Sequence, residues 1–213
     1  MGSERIKGWG VVLCLLLLSA CGDIGGSGQC GGTSETGSCL RIESIVPEFD
    51  GKETPNVDSQ QDICNLSEVS ATTTAQFEIF KDHAAKLTVS NRPMPGVLVT
   101  DMTDITLEQY AITYKVNRCP PGASCPPNLT PLKVAPGQTV VIPANGTVTF
   151  TLPFFPIAAV QDYKNQGGSH VDYPSYSATY TLIGTDSFKN PVSVVGSAEF
   201  TIGNFDRCSG TGT

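Results

Sequence analysis

The chain has 213 residues, and its 20 Asp and Glu residues outnumber its 13 Lys and Arg residues, giving a formal net charge of −7 at pH 7. An excess of acidic side chains repels phosphate groups, which excludes nucleic acid and anionic lipid headgroups as expected partners. No segment after residue 20 is apolar over the ~20 residues that a membrane-spanning helix needs, so we expect the rest of the chain to be soluble.

Residues 1–20 have the pattern of an export signal. Two basic residues precede an apolar run over residues 11–18, and the small residues Ser19 and Ala20 follow it. A basic start, a short apolar run and a small-residue end are typical of a secretory signal peptide. Because the apolar run is too short to span a bilayer, we expect the signal to be removed.

The end of this signal, Leu18-Ser19-Ala20-Cys21, resembles the lipobox of bacterial lipoprotein precursors. The resemblance implies cleavage before Cys21, a diacylglycerol on its thiol and a further acyl chain, such as palmitate, on its amino group. Two or more acyl chains hold a protein stably on a membrane. Because Gly22 and not Asp follows the cysteine, the resemblance also implies sorting to the outer membrane, with the periplasmic or surface face left open. The alternative is an ordinary secreted protein with an unlipidated Cys21.

Residues 21–38 read as a flexible tether that begins with the lipid-bearing cysteine. Residues 22–38 contain seven glycines and almost no apolar side chains. Such a segment buries too little apolar surface to offset the entropy lost on ordering. We expect an end-to-end distance of roughly 20–25 Å for it.

Residues 39–208 read as one domain, followed by a disordered tail over residues 209–213. The main signal is alternation of apolar and polar residues, which is typical of strands with one buried face. The alternating segments are 40–46, 85–90, 110–116, 148–152, 178–182 and 192–202.

Turn residues divide these segments. Asn145-Gly146 is typical of a type I′ turn and predicts a hairpin between residues 139–142 and 147–152. A second hairpin is predicted between residues 176–183 and 192–202. One short helix is predicted over Ile157–Asn165, because Pro156 can begin a helix.

Short strands with Gly- and Pro-rich turns predict an all-β fold of about seven to nine strands, either a sandwich or a barrel. The final hairpin, with a Tyr-rich alternating strand and Gly184-Thr185-Asp186 in its turn, resembles terminal hairpins of bacterial immunoglobulin-like and fibronectin-type envelope modules. The resemblance covers about 28 residues and favours an immunoglobulin-like β-sandwich. Such sandwiches carry many functions, so it implies no particular one.

The cysteines predict disulfides. Cys14 lies in the signal and Cys21 is taken by lipid, which leaves an even number in an exported domain. A zinc site is disfavoured because no C-x₂-C spacing occurs. The two cysteines closest in sequence flank a five-residue loop and are paired with each other. The remaining four are then divided into two further pairs. The predicted pairs are Cys119–Cys125, Cys64–Cys208 and Cys30–Cys39.

An aromatic cluster between residues 153 and 176 is the candidate binding patch. Phe154 and Phe155 are adjacent, so an extended chain would point them to opposite faces and expose one of them. Rigid aromatic rings in Pro-containing loops suit binding of protein or sugar. The alternative is that the rings fill the end of the sandwich and the Tyr hydroxyls bond to backbone. The candidate patch comprises Phe154, Phe155, Tyr163, Tyr173 and Tyr176.

No catalytic or metal site is predicted. His83 and His170 lack partners at a recognised spacing and read as solvated loop residues. The acids Asp101, Asp104 and Asp186 lack the dense spacing of a calcium loop, and Asp also favours turns for its own hydrogen bonds. We therefore expect no cofactor.

Taken together, the sequence predicts a lipid-anchored, non-catalytic module of the bacterial cell envelope. It would be held to the membrane through acyl chains on Cys21 and would have a structural or protein-binding role. A lipoprotein that binds sugar, a small molecule or Ca²⁺ through aromatic or acidic loops is the alternative. An enzyme of unrecognised type is a third.

Overall fold

The structure is a computed structural model that describes residues 37–64, 76–118, 125–169, 171–205 and 207–208, with the backbone only for residues 133–138. The predicted signal peptide, Cys21, nearly all of the tether and the tail over residues 209–213 lie outside the described residues.

Nine strands, one α-helix and one 3-10 turn form the described chain. The 3-10 turn spans Val99–Asp101 and the helix, α1, spans Ile157–Asn165. The strands are β1 Ser38–Phe49, β2 Lys52–Glu53, β3 Asn56–Asp58, β4 His83–Pro93, β5 Ile105–Arg118, β6 Leu132–Ile142, β7 Thr147–Phe155, β8 Ser175–Asp186 and β9 Pro191–Gly203.

The strands form two sheets, ordered β2-β1-β4-β7 and β3-β9-β8-β5-β6. Among the described strands only the pairing of β3 with β9 is parallel. The chain changes sheet after β2, β3, β4, β6 and β7, and such crossings are typical of Greek-key sandwiches. The predicted all-β sandwich with one short helix is confirmed.

Alternation of side chains builds the core between the sheets. In β8 every second residue is buried, including Tyr176, Ala178, Tyr180 and Leu182. Successive side chains of a strand point to opposite faces, so this pattern turns one face of the sheet to the core and the other to water. Strands of the other sheet supply matching buried residues, such as Leu87 of β4.

One predicted hairpin is confirmed and the other is wrong. β8 and β9 pair along their length, with Gly184 opposite Val192. The turn at Asn145 is present, with φ of 54° at that residue, but it joins β6 of one sheet to β7 of the other. Asn-Gly favours a tight turn, but it does not decide whether the two flanking strands pair.

The helix α1 has the bounds that the sequence predicts, Ile157–Asn165, and follows Pro156. It packs Ala159, Val160 and Tyr163 against the core. Neither α1 nor the 3-10 turn of the described chain has the length and apolar character that a membrane span requires.

The two ends of the sandwich differ in content and are named here. The near pole is the end where β1 begins, and it carries the loops over residues 94–104, 143–146 and 187–190. The far pole is the end where β1 stops and β4 begins, and it carries α1 and residues 203–208. The tether therefore joins the domain at the near pole.

Candidate functional site

Four residues of the predicted aromatic patch lie in the core at the far pole. Phe154, Phe155, Tyr163 and Tyr176 have no exposed surface. The ring of Phe200 packs on Phe154, Phe155 and Tyr176 at centroid distances of 5.1, 5.4 and 5.6 Å. The candidate binding patch is wrong for these four residues, and the alternative, that the rings fill the end of the sandwich, is confirmed for them.

A β-bulge explains how two adjacent phenylalanines are both buried. Phe155 faces His83 on β4, whereas Pro153 faces the next residue, Ala84, so Phe154 is an extra residue in β7. A bulge breaks the strict alternation of a strand and redirects a side chain. The expectation that Phe154 and Phe155 point to opposite faces fails for this reason.

Tyrosine hydroxyls of the patch are bound to backbone carbonyls. The Tyr176 hydroxyl donates to the Pro127 carbonyl at 2.9 Å, and the Tyr163 hydroxyl donates to the Ser169 carbonyl. Burial raises the pKa of Tyr163 to about 12, with a smaller contribution from nearby Asp172. These hydroxyls therefore stay protonated at neutral pH and act as structural donors.

Tyr173 is the one member of the predicted patch that remains partly exposed. Its ring packs edge-on against Phe205 at 5.2 Å, and its hydroxyl donates to the Asn204 carbonyl at 3.0 Å. Its backbone has a positive φ of 46°. The ring and hydroxyl of Tyr173 thus hold the segment after β9 in place.

Four ionisable residues from distant parts of the chain meet at the far pole and are called the buried polar cluster. They come from the end of β3, the extended segment before β4, the first residue of β4 and the segment after β9. The first three are almost fully buried, and the Arg207 side chain is mostly buried. The members are Asp58, Glu78, His83 and Arg207.

Arg207 connects the buried polar cluster. Its Nε lies 3.7 Å from Oδ2 of Asp58, and its backbone N–H donates to Oε2 of Glu78 at 2.8 Å. Its guanidinium carbon lies 4.2 Å from the centre of the Phe49 ring, and that ring lies 4.6 Å from the His83 ring. An arginine over an aromatic face is a favourable cation–π contact.

Burial shifts the pKa values of Asp58 and His83 toward their neutral forms. Burial, and then the nearby Glu78 charge, raise the pKa of Asp58 to about 6, against the backbone bond from Gln60. Burial and the Arg207 charge lower the pKa of His83 to about 3. His83 is therefore neutral at physiological pH, and the reading of it as a solvated loop histidine is wrong. His170 lies outside the described residues.

The segment over residues 77–79 has inverted polarity, with its acid inside and its two apolar side chains outside. Glu78 points inward, where its carboxylate accepts bonds from the backbone N–H groups of Asp62 and Arg207, both at 2.8 Å. Phe77 and Ile79 on either side of it are 58% and 44% exposed. Because successive side chains of an extended segment alternate, fixing Glu78 inward places both apolar neighbours in water.

The sequence alone does not reveal this inverted segment. Phe77-Glu78-Ile79 has the ordinary alternation of a half-buried strand, in which the apolar residues would be the buried ones. What fixes the acid inward are the bonds from Asp62 and Arg207, which are 16 and 129 residues away along the chain. No local pattern carries that information.

The disulfide between Cys64 and Cys208 joins the segment that follows β3 to the end of the domain. It confirms one predicted pair. Cys39 and Cys125 are also disulfide-bonded. The cysteines predicted to be their partners, Cys30 and Cys119, lie outside the described residues, so those two pairings remain predictions.

The three acids considered for calcium have separate structural settings at the near pole. Asp101 is exposed, Asp104 accepts a bond from the backbone N–H of Ala144 at 2.9 Å, and Asp186 is buried in the β8–β9 turn. Within the part of the chain that the structure describes, no three His, Cys, Asp or Glu residues are grouped to hold a metal ion.

A cavity of about 10 Å³ lies between the sheets, with Leu107, Tyr110 and Leu182 among its lining residues. That volume corresponds to a single water molecule and is far below the volume of a sugar or drug-sized ligand. The apolar pair Phe77 and Ile79, held outward beside the buried polar cluster, is the candidate contact surface.

No known protein-family model and no curated protein sequence matches this chain.

Proposed function

We propose that this chain is a lipid-anchored, non-catalytic module of the bacterial cell envelope that binds a protein partner through its far pole. Acyl chains on Cys21 would hold it to the outer membrane, and the sandwich would present Phe77 and Ile79 to the partner. The proposal joins a sequence feature, the lipobox resemblance of residues 18–21, to a surface feature of the folded domain.

The observation that carries the binding role is the outward orientation of Phe77 and Ile79. Large apolar side chains held in water cost free energy, and adjacent ones commonly mark a contact site for protein. Here the orientation is fixed by Glu78, whose two carboxylate oxygens accept bonds from two different segments. The pair is therefore presented by a rigid support and not by a loose loop.

The direction of the chain supports the anchoring role. β1 enters the sandwich at the near pole, and the apolar pair lies at the far pole beside the disulfide Cys64–Cys208. A membrane anchor on the amino-terminal side thus leaves the binding pole on the side away from the bilayer. Sixteen residues separate Cys21 from Ser38, so the near pole would stay within roughly 20–25 Å of the anchor.

Expression of the full chain in a bacterial host tests the anchor. Mass spectrometry of the amino-terminal peptide should show cleavage before Cys21 and the added mass of the acyl chains, and the protein should fractionate with outer membranes. In Cys21→Ser the protein should lose its lipid and leave the membrane fraction. A wild-type peptide without lipid would refute the anchoring role.

Photo-crosslinking in the native envelope tests the binding role. A photoreactive residue at position 77 should give one discrete adduct, which Ile79→Ser should abolish. The matched control is position 195, where Val195 is 60% exposed on the outer face of β9. Adducts of equal yield at both positions would show non-specific contact and refute a binding site at the far pole.

A further inference from the structure

The three loops of the near pole form one connected surface. The carbonyl oxygen of Asp104, at the end of the first loop, accepts a bond from the Ser187 hydroxyl at 3.3 Å, and its carboxylate accepts one from the Ala144 backbone at 2.9 Å. Asp104 thus links the loops over residues 94–104, 143–146 and 187–190. The side chains that these three loops expose therefore belong to one surface.

This surface exposes three large apolar side chains. Leu98 is 68% exposed, Val99 is 49% exposed and Phe188 is 68% exposed. The fold does not need the Phe188 ring, because the turn is closed by Asp186, whose Oδ1 accepts from the backbone N–H groups of Phe188 at 2.8 Å and Asn190 at 2.9 Å. The ring is directed into solvent by a turn that other groups hold.

The tether leaves the domain against the same surface. The Gly37 carbonyl accepts a bond from the Met94 backbone at 2.8 Å, and Gly37 has a positive φ of 70°. A Cβ at this position would lie 2.6 Å from a methyl carbon of Val97, the neighbour of Leu98. Glycine at position 37 therefore lets the tether pack closely on the first loop.

We infer that the near pole rests on the lipid bilayer, with Leu98, Val99 and Phe188 entering the boundary between headgroups and acyl chains. This rests on the proposed lipid anchor at Cys21. The composition of residues 22–37 predicts an end-to-end distance of roughly 20–25 Å, so the anchor would confine the near pole to a thin layer above the membrane. Within that layer a weak apolar contact suffices, because tethering makes it intramolecular.

The charges of the near pole and of the whole chain indicate which lipid headgroups this surface can contact. Lys189 adjoins Phe188, and Asp101 lies two residues from Val99, so the near pole carries charges of both signs. The chain as a whole is acidic, which disfavours anionic headgroups. The inferred partner is therefore a zwitterionic bilayer surface, and an increase in anionic lipid should weaken the contact.

A tryptophan placed at position 188 reports the contact directly. The only tryptophan of the chain is Trp9, in the signal, so the mature variant Phe188→Trp has one emitter. The lipidated protein is reconstituted into vesicles of phosphatidylethanolamine and phosphatidylcholine with brominated acyl chains. The introduced indole should shift to the blue and lose roughly half of its emission to bromine, as expected for burial at the interface. The indole of the matched control, Phe77→Trp at the far pole, should stay unquenched.

Two further measurements separate the possible outcomes. In the Phe188→Trp background, Leu98→Ser with Val99→Ser should reduce the quenching at least about twofold if the three side chains enter the lipid together. The mass of the amino-terminal peptide shows separately whether Cys21 is acylated. If it is not, the proposed anchor fails, and the mature chain coupled through Cys21 to a maleimide lipid still tests the near pole.

Either of two results would overturn the inference. In acylated or maleimide-coupled protein, equal quenching of the Phe188→Trp and Phe77→Trp variants would show that the near pole does not meet the bilayer. A blue-shifted indole at position 188 that is protected from aqueous acrylamide but not quenched by bromine would show that a second copy of the chain covers the surface instead.

Discussion

The two poles of the sandwich expose similar apolar side chains but are held together in different ways. At the near pole Asp186 closes its own turn by binding Phe188 and Asn190, and Asp104 links that turn to the two other loops. At the far pole the contacts join residues that are far apart in the sequence, and Arg207 contacts both Asp58 and Glu78. The near pole thus contains a turn that is closed by its own residues, whereas the buried polar cluster of the far pole forms only when both ends of the domain are assembled.

This difference leads us to expect that the far pole unfolds with the domain as a whole, while the β8–β9 turn of the near pole can open locally. Four predictions test the contrast.

The largest effect should come from removing the disulfide Cys64–Cys208. The bridge spans 144 residues, and in the chain-entropy model a ring of this size contributes up to about 5 kcal/mol to the free energy of unfolding. Urea unfolding of the double variant Cys64→Ser, Cys208→Ser should show a loss of this order. Hydrogen exchange at residues 77–79 should lose protection by as much as the global stability falls, whereas residues 187–190, which open locally, should lose less. Equal loss at both places would contradict the contrast between the poles.

The second effect is a pH dependence confined to the far pole. His83 has a folded pKa of about 3 against an ordinary value of 6.5, so between about pH 4 and pH 6 the unfolded chain binds the extra proton and acid destabilises the fold. Asp58 has a folded pKa of about 6 against 3.8, so in the same window the folded chain binds the extra proton and acid stabilises it. The two contributions oppose each other in the wild-type protein.

Single substitutions separate the two contributions. Relative to wild type, Asp58→Asn should lose stability on acidification, with a slope of up to about 1.4 kcal/mol per pH unit from His83. His83→Gln should gain stability on acidification over the same window. Urea midpoints measured at pH 4, 5 and 6 check both slopes, and parallel profiles for all three proteins would show that the buried polar cluster does not titrate as described.

The third effect concerns the near pole. Asp186→Ala removes a carboxylate that accepts bonds from Phe188 and from both the backbone and the side chain of Asn190, which should cost about 2 kcal/mol. The matched control is Asp101→Ala, an exposed acid of the same pole, which should change stability by less than about 0.5 kcal/mol. A cost for Asp186→Ala as small as that of the control would mean that the turn does not need its carboxylate.

The smallest effect on stability is expected from replacing the exposed aromatic side chain of each pole. Phe77→Ser and Phe188→Ser should each change the free energy of unfolding by less than about 0.5 kcal/mol, because neither ring supports the core. Thermal unfolding of the two variants, compared with the core variant Phe154→Ser, checks this. Strong destabilisation by either exposed variant would mean that its ring has a structural role and would remove the argument for a contact surface there.

Parts of the fold are predictable from the sequence where the determinants are local. Pro156 and the residues after it predict the helix Ile157–Asn165, and the structure has that helix with the same bounds. The turn around Asp186 joins two strands that pair with each other, as predicted. In both cases the residues that decide the structure are neighbours in the chain.

Other parts are not predictable because a distant segment decides the outcome. Asn145-Gly146 predicts a turn between paired strands, but β6 and β7 lie in different sheets. A bulge opposite His83 turns Phe154 and Phe155 inward together. His83 is buried, and the ring of Phe49, which Arg207 covers on its own side, packs against it. Each of these facts depends on tertiary contacts that no local pattern encodes.

The length of the sandwich sets how far the far pole would stand from the membrane. β1 runs from the near pole to the far pole in 12 residues, which at about 3.3 Å per residue is roughly 40 Å. In a lipid-anchored chain whose near pole touches the bilayer, Phe77 and Cys208 would stand at about that height, at the outer tip of the molecule. A protein fused after Cys208 would therefore be displayed at the outermost point, directly beside the surface that a partner must approach.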